Sequence, residues 1–162
     1  MEVYLMQHGK ALSEEVDPER SLSPEGENQI SASGQALQKM GIGFDLIVTS
    51  PKKRARQTAE IVARTVNYPV NDIETTETLQ PTVPAQQAIT FLTTHEDKRR
   101  VLLAGHLPSL GEIASRLLSE ASSVSIRFEM GGVCRIDMDR LQVGAGQLRW
   151  YVTPDQLRLI GE

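Results

Sequence analysis

Val3-Tyr4-Leu5-Met6-Gln7-His8-Gly9 decides the fold: four apolar residues in a row end abruptly on a glutamine, a histidine and a glycine. An unbroken apolar run this short fits a strand covered on both faces, as in a parallel sheet. The same pattern recurs twice. Leu46-Ile47-Val48-Thr49 runs into Ser50-Pro51-Lys52-Lys53-Arg54, and Val101-Leu102-Leu103-Ala104 runs into Gly105-His106-Leu107-Pro108. Helical patterns lie between these runs. Ser23-Pro24-Glu25 supplies an N-cap, a first-turn proline and an acid; Ile30, Leu37 and Met40 mark one helix face, and Gly41 and Gly43 stop it. Ser50-Pro51 opens a second helix with Ala55, Ala59, Val62 and Val66 at helical spacing. Pro84 starts a third, with Ala88, Phe91 and Leu92 inward, and a fourth extends from Pro108 through Leu118. Residues 70–77 are expected to hold a short edge strand. Gly132 to Met138 and Gln147 to Val152 read as two strands turning around Gly144-Ala145-Gly146. The sum is an α/β chain: a three-layer α/β/α sandwich with a mostly parallel central sheet and a C-terminal antiparallel hairpin.

A length of 162 residues, 40% of them hydrophobic, suits one domain spanning residues 1–162. Seventeen Lys and Arg against 21 Asp and Glu leave a net charge of -4, which excludes a broad basic surface and so bulk nucleic-acid binding. A single cysteine, Cys134, excludes an intramolecular disulfide framework and a cysteine-based zinc site. No apolar run approaches membrane-spanning length, and no signal-peptide pattern opens the chain, so the cytoplasm is the expected compartment.

Ligands of open α/β sheets bind beyond the carboxyl ends of the strands. Two of the three histidines, His8 and His106, stand there, each next to a glycine, and Arg54 stands in the first turn of the helix after the middle run. Phosphoryl transfer fits this set. Neutral imidazole is a competent nucleophile, and a transferring phosphoryl group needs cations and amide donors around its oxygens. A guanidinium grips two such oxygens at once. His95, among Glu96, Asp97 and Lys98 at a helix end, reads instead as a favourable C-terminal cation. Arg56 stands four residues before Glu60 and is expected to form a solvated pair with it. Lys52 and Lys53 read equally as a basic rim or a solvated first turn, and Cys134 as a buried small hydrophobe. Gly41-Ile42-Gly43 lacks a dinucleotide fingerprint's third glycine, no Walker loop exists, and Ser109 is misplaced for a nucleophile elbow.

These motifs resemble the histidine phosphatase superfamily, and within it the small SixA-type phosphohistidine phosphatases. Met6-Gln7-His8-Gly9 is similar to the Arg-His-Gly signature of the family, and Arg20-Ser21-Leu22-Ser23-Pro24-Glu25-Gly26 to its Arg-Pro-Leu-Thr-x-x-Gly segment. Ser50 to Thr58 resembles its Ser-Pro-x-x-Arg-Ala-x-Gln-Thr block, Gly105-His106-Leu107-Pro108 its second histidine motif, and Trp150 to Leu157 its tail. Five motifs in order over nearly the whole chain carry the resemblance. It implies a phosphoglycerate-mutase-like fold, with His8 as nucleophile, His106 and Arg54 as catalytic partners, and phosphate contacts from Gln7, Gly9, Arg20, Arg54 and His106. It implies no cofactor and no metal. The short stretch between the second and third apolar runs fits the open-site branch, whose partner is a phosphohistidine-containing protein such as a histidine phosphotransfer domain.

One departure stands out: Gln7 replaces the first arginine. Glutamine keeps two N–H donors but loses the charge and the fork geometry. Arg20 or Lys10 is expected to compensate. No general acid is evident beyond the loop carboxylates Glu14 and Glu15, which favours a phosphoramidate, whose leaving imidazole departs protonated. The alternatives are a small-molecule phosphomonoesterase of the same superfamily, or a catalytically weak member that binds phosphate or a phosphoprotein.

Overall fold

The three apolar runs become neighbouring strands in a computed structural model that describes residues 1–162. In chain order the elements are β1 (Glu2–Gln7), α1 (Pro24–Lys39), β2 (Leu46–Thr49), α2 (Lys53–Thr65), β3 (Glu74–Thr75), α3 (Ala85–Thr93), β4 (Arg100–Gly105), α4 (Ser109–Leu118), β5 (Val133–Met138), β6 (Gly146–Val152) and α5 (Pro154–Gly161). They build one six-stranded sheet in the order β3-β2-β4-β1-β5-β6. The pairs from β3 to β1 are parallel, while β5 and β6 add antiparallel.

Because alternate side chains of a strand point to opposite faces, each apolar run feeds two cores. Val3, Leu5, Leu46, Val48, Val101 and Leu103 pack with Leu92, Leu110 and Ile113 under α3 and α4. Tyr4, Met6, Ile47, Leu102 and Ala104 pack with Ile30, Leu37, Val62 and Leu157 under α1, α2 and α5. Continuous apolar runs are therefore required, and the three-layer expectation holds. Cys134 is a free, buried thiol, and burial pushes its pKa up to about 12. No helix is long and apolar enough to cross a membrane.

Several local expectations are corrected. The helix after β2 begins at Lys53 rather than at Ser50-Pro51: Lys52, still in an extended conformation, takes the N-cap position, and the Ser50 hydroxyl is shared between the Lys52 N–H and a histidine of another strand. Met40 lies outside the α1 face: it caps the helix and is exposed. Phe91 packs against the core as expected but is only half-buried, its ring 4.7 Å from that of His95, and Ile89 joins the inward face as a buried residue. The edge strand within residues 70–77 shrinks to Glu74–Thr75. A fifth helix, α5, follows the hairpin. Its signal is local: Thr153 and Gln156 form a reciprocal capping box with Pro154 between them.

One close approach positions the site. A Cβ on Gly9 would come within 2.7 Å of Ile30 Cγ1, and one on Gly26 within 2.0 Å of the Lys10 carbonyl. The chain leaving β1 thus runs directly beneath the first turns of α1, a packing that only glycine permits at both points.

Candidate active site

The carboxyl ends of β1 and β4 lie side by side, with Gln7 in register with Gly105, so the residues that follow, His8 and His106, become neighbours. Their rings stand 5.0 Å apart, centroid to centroid, and both are buried. From the next parallel strand, β2, the chain delivers Ser50 and then Arg54 in the first turn of α2. Residues 8, 54 and 106, distant in sequence, meet at one point.

Each histidine is held by a specific partner. His8 Nδ1 donates to the Gly9 carbonyl at 2.7 Å; a carbonyl only accepts, so the ring proton sits on Nδ1. Nε2 is left with its lone pair, which accepts from Arg54 Nε at 3.1 Å. His106 Nε2 lies 2.6 Å from the Ser50 hydroxyl, which also accepts from the Lys52 N–H at 3.3 Å. The hydroxyl holds the ring in place through Nε2 and leaves His106 Nδ1 buried without a partner. Burial, reinforced by Arg54 and Arg20, pushes His8 down to about 4. Burial, followed by His8, Arg54, Lys52 and Arg20, pushes His106 down to about 3. Both imidazoles are therefore neutral at neutral pH, as a nucleophile must be.

Thr58 stiffens the base of the site, accepting from the Gly9 N–H at 3.1 Å and donating to the Arg54 carbonyl at 2.8 Å. The Gly9 N–H is thereby committed, so Gly9 serves through its carbonyl and its size rather than as a free phosphate donor. Gln7 is fixed through its carbonyl, which accepts from the Gly131 N–H at 3.0 Å, while its Oε1 is buried and unpaired. Ser109 Oγ, in the first turn of α4, is likewise buried and unpaired. These two atoms and His106 Nδ1 are the three buried side-chain polar atoms without a partner, and all belong to the strand ends and the helix start around the histidines. Half a turn of the Gln7 amide presents N–H donors instead. The group suits a ligand rich in oxygen atoms.

Of the two residues expected to replace the missing arginine, Lys10 does not: its Nζ is paired with Glu25 at 2.5 Å, out on the surface. Arg20 does lie close enough for its charge to depress His8, His106 and Arg54. Arg20 adopts a left-handed backbone, φ 52°, uncommon for a residue with a side chain. Asp17 clamps that turn, its carboxylate accepting from the Glu19 and Ser21 backbone N–H groups and the Ser21 hydroxyl. Those hydrogen bonds hold the Asp17 carboxyl down at about 2. Gln57 ties the same loop to α2 by accepting from the Leu22 N–H at 2.7 Å.

Arg20, Lys52, Lys53, Arg54, Arg56 and Glu14 share a basic cavity of about 350 Å³ at the rim. Glu15 is not part of it. The expected Arg56–Glu60 pair does not form; Glu60 pairs with Arg64 at 3.2 Å instead, leaving Arg56 in the cavity wall. His95 pairs with Glu74 at 3.2 Å, apart from the other two histidines. No group of three or more His, Cys, Asp or Glu side chains is drawn together as metal ligands.

Residues 3–81 match the model of the histidine phosphatase superfamily (branch 1). An uncharacterized protein of Picosynechococcus is 31% identical over 141 residues, covering 82% of each chain. Phosphohistidine phosphatase SixA of Escherichia coli is 26% identical over 162 residues, 98% of each. The chain belongs to the histidine phosphatase superfamily. The structure of the protein histidine phosphatase SixA complexed with tungstate superposes with a TM-score of 0.86, covering 97% of this chain and 99% of that one at 26% identity. That full-length agreement makes this a SixA-type member of the superfamily, with the phosphoglycerate-mutase-like sandwich and a phosphatase function.

Proposed function

We propose that the protein is a phosphohistidine phosphatase that removes phosphate from histidine on a protein partner through a covalent intermediate on His8. The observation that carries this reading is the tautomer of His8. Its proton is fixed on Nδ1 by the Gly9 carbonyl, so Nε2 keeps a lone pair at the guanidinium of Arg54. The arrangement supplies a neutral nucleophile and a cation at the same point. Tungstate, which the related SixA structure holds, is a tetrahedral oxyanion of the same kind as phosphate.

In the first step His8 Nε2 attacks phosphorus; an Nε2–P bond forms and the N–P bond of the substrate breaks. The leaving imidazole carries away a proton on its departing ring, so no protein acid is required. Arg54 moves its Nε–H from Nε2 to a phosphoryl oxygen, and His106 Nδ1–H, Arg20 and the Gln7 amide donate to the others. In the second step water attacks, an O–P bond forms, the Nε2–P bond breaks, and a water proton passes to solvent as phosphate leaves. The positive charge needed around the transferring group comes from side chains of this chain.

The test is transfer of labelled phosphate from a phosphohistidine protein to wild type and to His8→Ala. Acid-labile label on wild type followed by free phosphate, with neither in His8→Ala, is the expected outcome. Label that arrives and never leaves would instead identify a binding member, the reading that the uncharged Gln7 favours. Release of phosphate by His8→Ala at the wild-type rate would overturn the mechanism.

A further inference from the structure

Threonine is a poor helix former, because its branched side chain is crowded there and its hydroxyl competes for the backbone. Helix α2 nevertheless carries two, Thr58 in its middle and Thr65 at its end. Both hydroxyls donate at 2.8 Å to the carbonyl four residues earlier, Thr58 to Arg54 and Thr65 to Ile61. The half-buried Thr65 makes no other hydrogen bond. Thr58 has no solvent exposure, and its oxygen also accepts from the Gly9 N–H at 3.1 Å, a bond between residues 49 apart in the chain.

The two residues that Thr58 bonds are the two that hold His8. The Gly9 carbonyl takes the Nδ1 proton at 2.7 Å, and Arg54 Nε stands 3.1 Å from Nε2. A closed circuit of contacts therefore runs from Thr58 through Gly9 to one nitrogen of the His8 ring. It returns from the other nitrogen through Arg54 to Thr58. No other group accepts the Gly9 N–H. Gly9 also has no slack toward α1, where a Cβ would lie 2.7 Å from Ile30 Cγ1 and 3.0 Å from the Gly26 carbonyl. It is held between Ile30 of α1 and Thr58 of α2. We infer that Thr58 is a positioning residue of the phosphoryl-transfer reaction. Fully buried, it touches no substrate; it fixes the tautomer of His8 and the alignment of the ring with Arg54 by bonding both groups that hold the ring. The role in the reaction rests on the phosphohistidine reading above, whereas the hold on the ring does not. Misplacing a reacting atom by about 1 Å can cost ~10²-fold in rate. A slack ring should therefore show in kcat and not in substrate binding.

The test compares Thr58→Val with Thr58→Ser and Thr65→Val. Valine keeps the shape and removes both bonds, and serine keeps the hydroxyl and with it both bonds. Thr65→Val removes the same kind of back-bond from the same helix and nothing else. The substrates are a phosphohistidine protein and phosphoimidazole, a small substrate without a protein surface. Thr58→Val should lower kcat by ~10-fold or more on both, with KM changed by no more than about twofold. Thr58→Ser and Thr65→Val should keep both constants within about twofold of wild type. The second readout is the ring-nitrogen NMR spectrum of His8 at pH 7 in the substrate-free protein. Wild type, Thr58→Ser and Thr65→Val should show one tautomer, with the proton on Nδ1, and Thr58→Val a mixture of two. Thr58→Ala puts no methyl group against the Gly9 N–H; it should behave as Thr58→Val does and replaces it if valine prevents folding. Wild-type kcat with a single tautomer in the valine or alanine variant would overturn the assignment. So would a loss of kcat in Thr58→Ser or Thr65→Val as large as that in Thr58→Val. Wild type inactive on both substrates would defeat the phosphohistidine reading, while a mixed tautomer in Thr58→Val would still establish the hold on the ring.

Discussion

The floor of the site and its rim are built on opposite terms. On the floor, His8, His106, Ser50, Arg54 and Thr58 are held by short, specific hydrogen bonds in a setting that keeps both rings neutral. On the rim, Arg20, Lys52, Lys53, Arg56 and Glu14 line an open cavity, and the ion pairs that exist, such as Lys53–Glu19 at 2.9 Å, are exposed. A buried hydrogen bond fixes a tautomer; an exposed ion pair is worth only about 0–1 kcal/mol and is screened by salt. The floor therefore sets the chemistry, and the rim is free to be tuned to a partner. Substitutions should separate accordingly, with floor variants and Arg20, whose charge reaches His8 and Arg54, losing kcat and the other rim variants losing KM.

The sharpest break comes at Arg54. Arg54→Lys keeps a charge but gives up the Nε–H to His8 and the two-oxygen grip, so kcat should fall by ~10²–10³-fold, the usual cost of one transition-state donor. Single-turnover phosphate release measures it, and a fall below about fivefold would place Arg54 with the rim.

The protonation of the floor gives the next effect. Well above pH 6.5 both histidines are neutral in the folded and the unfolded chain, and they add no pH dependence to stability. Below 6.5 the unfolded histidines take up protons while His8 resists down to about 4 and His106 down to about 3. The unfolded state then binds more protons, so stability is lost as pH falls through that window, by about 1.4 kcal/mol per pH unit for each histidine. Urea unfolding from pH 7 to pH 4 measures the slope, and His8→Asn should remove about half of it. A flat profile would mean that the rings are solvated like rim residues.

Gln7 stands on the border between the two regions: the residue is half-buried, and its side-chain oxygen is buried and unpaired. Restoring a fixed charge there with Gln7→Arg should raise kcat by ~10-fold, since a charge-assisted hydrogen bond is about twice as strong as a neutral one. The same variant should lower the melting temperature, because the new guanidinium joins Arg54 and Arg20. No change in rate would show that Arg20 already supplies the missing charge.

How far these regions could be read from sequence follows the same division. The floor was visible because its residues follow strands: His8, Arg54 and His106 each stand just after an apolar run, and parallel strands align such ends. Partners that reach across the fold were not visible. Ser50 reads as a helix cap, yet its hydroxyl is turned to His106. Nor does Thr58 announce itself as the brace between Gly9 and Arg54. On the rim, Asp17 holds Arg20 in place through a turn whose geometry has no apolar pattern to betray it. Glu60 has an arginine four residues away on each side and pairs with the C-terminal one, Arg64. Acid before base is the better order on a helix, and that preference was available in the sequence.

The smallest expected effect belongs to the rim pair Lys53–Glu19. Both residues are exposed, and the Glu19 carboxylate raises the pKa of Lys53 through their hydrogen bond without any burial to amplify it. Lys53→Ala should leave phosphoimidazole hydrolysis and the pH profile of stability unchanged within error. It should weaken only the KM for an acidic phosphoprotein, by about twofold, and that difference should vanish at high salt, where the charges are screened over a few ångströms. A larger loss on the small substrate would show that Glu19, released from its lysine, turns on Arg20 or Arg54, and that the rim reaches the floor after all. The separation of the two regions therefore rests as much on this near-silent substitution as on the large effect at Arg54.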